Sequence, residues 1–414
     1  MDKKQADNGG SDAVILTLQE PSDHASTIGG KLEELSDKGE VIVPSRTEYI
    51  GPKGDKTEQN EGFWAWATVV SAFIIQSTGF GWIGSTQTFM MLAAGIFTGR
   101  LFDKGYCYHL VISGSIVLVF SLFMLSLTQP EQYYQVFLAQ GLGVGLGSSL
   151  SYLPSLAIIA QHFPVPHARA RAMGIAAAGS SLGGLIHPIM LNSLFHGKTG
   201  FANGVRASAG LLAGMQIIAV ALMRTKYPVK NEADKEDGRD FRKATNIVPM
   251  VLRFATDWPY VSFVFGMAFM DISFFFPSFY IQLDAIEHGL DATFAFYSLS
   301  ILNGLSFIGR LVPGFLARTL GVANMFLFST IGTTLVIFCM LAVRNTGSVA
   351  SFAAFYGFFS GALISLMSPM LAILADNPSE IGARMGMCFA IAGLGCLIGS
   401  SSFTLVKSDY VKFA

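Results

Sequence analysis

Few ionisable side chains stand inside the long apolar runs of this chain, and chemistry would have to happen at those few. Arg310 closes the run Asn303-Gly304-Leu305-Ser306-Phe307-Ile308-Gly309-Arg310. A guanidinium there could clamp a carboxylate through two parallel N–H donors, and Asn303 joins it as a candidate substrate contact. The plainer reading is an arginine whose head snorkels from the end of its helix. Asp271 lies about 13 residues into the run that starts at Trp258, roughly 20 Å from its inner end at 1.5 Å per residue. It could contact substrate, offset Arg310 or take up a proton, or it could be a structural aspartate hydrogen-bonded between helices. His187, just before Pro188, is a second candidate proton site because free imidazole titrates near neutrality; a packed histidine is the alternative. An ionisable group in hydrocarbon costs a few kcal/mol or more, so each of these needs a partner, a wet cavity or a function.

Hydrocarbon is the medium because 51% of the 414 residues are hydrophobic and only 13% are charged, a balance poorly suited to a soluble globule. A spanning helix needs roughly 20 mainly apolar residues. Stretches free of Asp, Glu, Lys and Arg fill most of the chain after Glu61, at 62–99, 105–130, 132–168, 172–197, 207–223, 258–270, 319–343, 345–375 and 385–406. Residues 1–61 hold 13 acids and 7 Lys or Arg with no sustained period, which predicts a disordered tail. No apolar core follows the opening MDKKQADNGGSDA, so no cleaved leader is expected. Cys107, Cys339, Cys388 and Cys396 show no metal or disulfide spacing. Neither the charge distribution nor any HExxH, GxSxG or P-loop motif supports a nucleic-acid partner, an enzyme or a cofactor.

Basic residues fall on alternate loops. One side receives Arg100 and Lys104, Arg169 and Arg171, Arg224 through Arg253, Arg318 and Arg384; the other receives chiefly acids, Glu131, Asp284, Glu287 and Asp291, plus the isolated bases Lys198 and Arg344. The basic side is therefore expected in the cytoplasm, together with the tail. The long polar break at 224–257 divides the chain into an N-terminal bundle (62–223) and a C-terminal bundle (258–414). The halves repeat: Gly99 and Gly314 leave similar runs 215 residues apart, and Arg171 and Arg384 open Gly-rich runs 213 apart. Parallel repeats joined by a cytoplasmic loop are a known carrier design with the site between the halves. Measured against each other, the halves imply about eleven spans, with the first two squeezed together near Gly79-Phe80-Gly81 and one missing at the carboxyl end. The glycine series Gly141, Gly143, Gly145 and Gly147 is read as helix-packing surface.

Glu61-Gly62-Phe63-Trp64-Ala65-Trp66, Trp82-Ile83-Gly84-Ser85, the Gly99–Gly105 loop, Gly143 through Gly147 with Pro154-Ser155, Gly174 through Gly184, and Arg384-Met385-Gly386-Met387 together resemble the monocarboxylate porter branch of the major facilitator superfamily, in its fungal form. The resemblance implies an all-α, two-bundle membrane carrier of small organic anions, driven by their own gradient or by protons. Several relatives of that kind export secondary metabolites. It also implies that Gly99, Asp103, Lys104 and Gly105 form a cytoplasmic gating loop, whose carboxylate would be stabilised by helix dipoles. The sequence departs from the family at several points. The lysine that receives the substrate anion in that family has no counterpart between Gln76 and Gly81, and the basic pair before the fifth span is only partly kept, as Arg169 and Arg171. The eighth span carries Ser306 where the family has an Asp before its Arg, and Arg318 replaces the acid expected in the second copy of the gating loop. The expected function is transport of a monocarboxylate-like anion in the plasma or vacuolar membrane. Export of a secondary metabolite, and a shortened, transport-inactive sensor, are the alternatives.

Overall fold

The computed structural model describes residues 63–78, 85–129, 132–197, 199–225, 248–375 and 380–413. The expected tail at 1–61, the break near Gly79-Phe80-Gly81 and residues 226–247 of the expected linker lie outside these. In hydrocarbon every backbone donor and acceptor must be satisfied within the segment, and the described residues accordingly fold into helices joined by short turns. The first half consists of α1 (Phe63–Thr78), α2 (Ser85–Ala93), α3 (Gly95–Asp103), α4 (Cys107–Leu125), α5 (Tyr133–His162), α6 (Pro166–His196) and α7 (Gly200–Leu222). The second consists of α8 (Val248–Ala255), α9 (Trp258–Phe274), α10 (Phe276–Glu287), α11 (Ala292–Leu320), α12 (Val322–Cys339), α13 (Thr346–Leu374) and α14 (Ile381–Phe413). Helix α8 occupies the carboxyl end of the segment expected as linker.

Among the described residues nine helical segments are long and apolar enough to cross a membrane, α9 and α10 counting as one. The 16-residue α1 and the α2–α3 pair occupy the places of the other two expected spans. Helices α5, α6, α13 and α14 are the most enclosed; α4 and α12 are among the least. The outward faces of those two show why. Ile112, Ile116 and Phe120 on α4, and Leu327, Phe328, Ile331 and Leu335 on α12, recur every three or four residues and stay exposed, as lipid-facing stripes must.

Within the first half α1 packs on α6 and α7, and α4 on α5. Within the second α11 and α12 pack on α13, and α9 on α14. Two seams join the halves, α2–α3 against α14 and α6 against α11. The repeated motifs meet there crosswise: Gly99 of the first half faces Gly382 of the second, and Gly314 of the second faces Arg171 of the first. A Cβ at Gly99 would collide with the Gly382 carbonyl, and one at Gly314 would sit 2.8 Å from the Arg171 Cα, so both contacts are backbone on backbone. Of the Gly141–Gly147 series, Gly143, Gly145 and Gly147 press against Ser121, Met90 and Leu118 as a packing surface should, whereas Gly141 has only ordinary contacts.

Candidate functional site

Between the halves lies a cavity of about 470 Å³, within the range of sites for small organic ligands. It extends toward Tyr133 and Gln282, away from the end that carries Asp103, Arg171 and Arg384. At that basic end both seams are shut. Asp103 closes the first: its carboxylate accepts from the backbone N–H of Gly382 (3.0 Å) and of Ala383 (2.7 Å) at the start of α14. Gly105 lets the chain turn away immediately afterwards, at φ 90°. Asp103 ends α3 in the connection between two apolar runs, and burial pushes its carboxyl up to about 8 in spite of the two donors; Glu380 nearby pushes in the same direction. Desolvation therefore outweighs the dipole stabilisation expected from the sequence. Lys104 is exposed and serves as the C-cap of α3, while Gly99 makes the close approach to Gly382. In the second copy of the loop Arg318 is exposed.

Alongside runs a charged cluster at the same end. Arg384 Nη1 bonds Asp257 (2.5 Å) and the Leu374 carbonyl (2.9 Å), and its guanidinium lies over the Phe254 and Tyr260 rings. Arg253 pairs with Glu380 at 2.8 Å. The first half answers with Arg171 over Trp66, so each Gly-rich run opens on an arginine stacked against an aromatic ring of its own half.

The cavity walls are uneven. Phe274, Phe275 and Phe279 flank it on one side and Tyr133 and Phe137 on another, while Gln87, Ser180, Asn303, Ser306 and Arg310 supply polar groups. Phe137 begins a π-helical stretch of α5 that ends at Val144 and also brings Gln140 and Gly141 to the wall; such wide turns are common at functional sites. Helix α9 stops at Phe274 and α10 restarts with Pro277 in its first turn, placing the phenylalanines at a break. Gln87 is 2% exposed, and its side-chain oxygen has no hydrogen-bond partner among the described residues.

Arg310 and Asn303 both line the cavity, on one helix. Arg310 is 5% exposed, so its head is enclosed rather than drawn to a surface. Its Nη1 donates to the Ala177 carbonyl at 2.6 Å and to the Ser180 hydroxyl, both on α6. Asn303 Nδ2 donates to Leu299 O of its own helix at 3.0 Å. Asp271 is not among the cavity-lining residues. It is buried behind the wall, within electrostatic reach of Tyr152 on α5, Tyr356 on α13 and Cys388 on α14. Tyr152 is also within electrostatic reach of Arg310. His187 contacts the Ser208 hydroxyl of α7 at 2.8 Å, inside the first half and outside the cavity lining.

Gln87, Tyr152 and Ser180 carry no charge and belong to no loop motif, so nothing in the sequence singled them out. Among the described residues no cluster of His, Cys, Asp and Glu could hold a metal ion.

This arrangement has known counterparts. Residues 62–400 match the family model of the Major Facilitator Superfamily. The chain is 36% identical over 332 residues to the aspyridones efflux protein of Emericella nidulans, covering 80% of this chain and 64% of that protein. It is 32% identical over 324 residues to the agnestins efflux protein of Paecilomyces divaricatus, covering 78% of this chain and 70% of that one. A fucose:proton symporter of Escherichia coli shares the fold, with a TM-score of 0.56 at 16% identity over 84% of this chain and 90% of the symporter. The two-bundle helical fold, the crosswise repeat and these matches lead to one conclusion: the chain belongs to the Major Facilitator Superfamily of membrane transporters.

Proposed function

We propose that the protein is a secondary carrier that exports an amphiphilic organic acid, a secondary metabolite in the manner of its relatives' names, by alternating access of the two bundles. One observation carries this reading. The cavity pairs an aromatic wall of Phe274, Phe275 and Phe279 with an enclosed guanidinium, Arg310, and so suits a solute with an apolar ring and an acidic group. A lactate-sized acid would leave most of about 470 Å³ unfilled, so within the organic anions the larger aromatic ones fit better. The basic end faces the cytoplasm of a plasma-membrane protein in this reading, and the cavity opens outward, as a carrier stands when it releases cargo.

The test is flux of benzoate and phenylacetate in reconstituted vesicles, with lactate alongside. Arg310→Ala is expected to cut arylcarboxylate flux at least about tenfold, since a hydrogen bond to a charged group contributes about 1.5–3 kcal/mol. Flux indifferent to Arg310, or lactate preferred, would refute the solute class. Binding without flux would favour the sensor alternative.

A second reading concerns Asp271, buried with tyrosines on two sides and placed to hold a proton that drives exchange. Asp271→Asn is then expected to abolish the stimulation of flux by an imposed proton gradient while sparing solute exchange; stimulation that persists in Asp271→Asn would reject it. His187, bonded to Ser208, is a packing residue in this scheme.

A further inference from the structure

Arg310 belongs to the second half, yet the groups that receive its Nη1, the Ala177 carbonyl and the Ser180 hydroxyl, belong to the first. The same seam holds a hydroxyl pair, Ser181 to Ser306 at 3.0 Å, and a backbone approach in which a Cβ at Gly174 would lie 2.7 Å from the Arg310 carbonyl. Arg310 thus ties the bundles at the closed end of the cavity, where Ser180 and Ser306 are also wall residues. Its Nε is fully enclosed without a hydrogen-bond partner among the described residues. An acid that takes the guanidinium end-on from the cavity, through Nη1 and Nη2, therefore competes for the nitrogen already given to α6.

We propose that Ser180 and the Ala177 carbonyl hold Arg310 as a tether between the bundles, and that the carboxylate of the solute unties them by taking the guanidinium. Ser180 is then a positioning residue: it sets both the affinity for the acid and the resistance to bundle separation. A solute shifts the equilibrium between two carrier states only by its difference in affinity for them, and competition for one nitrogen supplies that difference. The untying step rests on the acid-binding reading of the cavity; the tether stands without it.

Spin labels at Val165→Cys and Thr319→Cys, both exposed at the basic end of the α6–α11 seam, report its width once the exposed Cys339 is replaced by Ser. Without solute, Ser180→Ala is expected to shift the distances of the purified full chain toward longer values, and Ser180→Thr, which keeps the hydroxyl, to restore them. Benzoate should lengthen the wild-type distances and add little in Ser180→Ala. Its apparent affinity should rise severalfold in Ser180→Ala and vanish in Arg310→Ala. Wild-type distances and affinity in Ser180→Ala would overturn the tether while leaving Arg310 as an acid site. Wild-type benzoate binding that ignores Arg310 would instead overturn the solute reading and the untying step, leaving the solute-free distances to judge the tether.

Discussion

At the basic end the α3–α14 seam and the α6–α11 seam are built from the same repeated motif, but they close by different means. Both bring backbone against backbone through a glycine, Gly99 on Gly382 and Gly314 on Arg171. Only the first adds a carboxylate, with Asp103 accepting two N–H groups from the start of α14. Its counterpart in the second, Arg318, points to solvent, and that seam is held deeper in, by Arg310 on α6. One seam is thus latched at its mouth and the other at its waist. The lesson is that a duplicated fold can close its two copies of one seam by different groups, a carboxylate on backbone N–H groups in one and a guanidinium on a carbonyl and a hydroxyl in the other.

The largest blow to this contrast should come from steric wedges. Gly99→Val and Gly314→Val each force a side chain into a backbone contact, and overpacking of this kind costs about 1–3 kcal/mol or more. Both should abolish flux and lower the thermal midpoint. If either is tolerated, that seam is not closed in the resting carrier. Asp103→Ala comes next. It leaves two N–H groups of α14 without an acceptor, at about 1–3 kcal/mol, whereas Arg318→Ala should change nothing measurable. Spin-label distances across each seam would compare them, and equal effects would erase the asymmetry.

A subtler difference lies in pH. The closed first seam raises Asp103 to about 8, while an opened seam returns it to the ordinary carboxylate value near 4. Closure is then favoured fully at low pH and loses that support as pH climbs through about 8, with Glu380 as the neighbouring acid. The α3–α14 distances should lengthen between about pH 4 and pH 8, the α6–α11 distances should not, and Asp103→Asn should remove the response. The smallest effect is expected of Lys104→Ala, because that side chain is exposed.

Much of this was legible beforehand because hydrocarbon leaves few options. Charge-free runs of sufficient length had to be helices, and the glycine offsets of 215 and 213 marked contacts that proved to be reciprocal. Arg310 and Asn303 stood out as polar groups in an apolar run, and both line the cavity. Depth along a helix says nothing about direction around it, which is why Asp271, expected as a substrate contact, sits behind the wall. Ser180 and Gln87 were invisible for a related reason: a hydroxyl or amide in a membrane helix is ordinary until a partner from the other half meets it. For Asp103 the helix start could be anticipated from the sequence, whereas the burial that opposes it depends on the seam formed with the other half.

The interruption at Phe275–Pro277 bears on the shape of the aromatic wall. Pro277 has no N–H, so one rung of the hydrogen-bond ladder is missing where Phe274, Phe275 and Phe279 meet the cavity. Past the break Ile281 and Ala285 anchor α10 in a buried cluster with α11 and α13, so the wall is carried by a half-helix that belongs to the second bundle and travels with it.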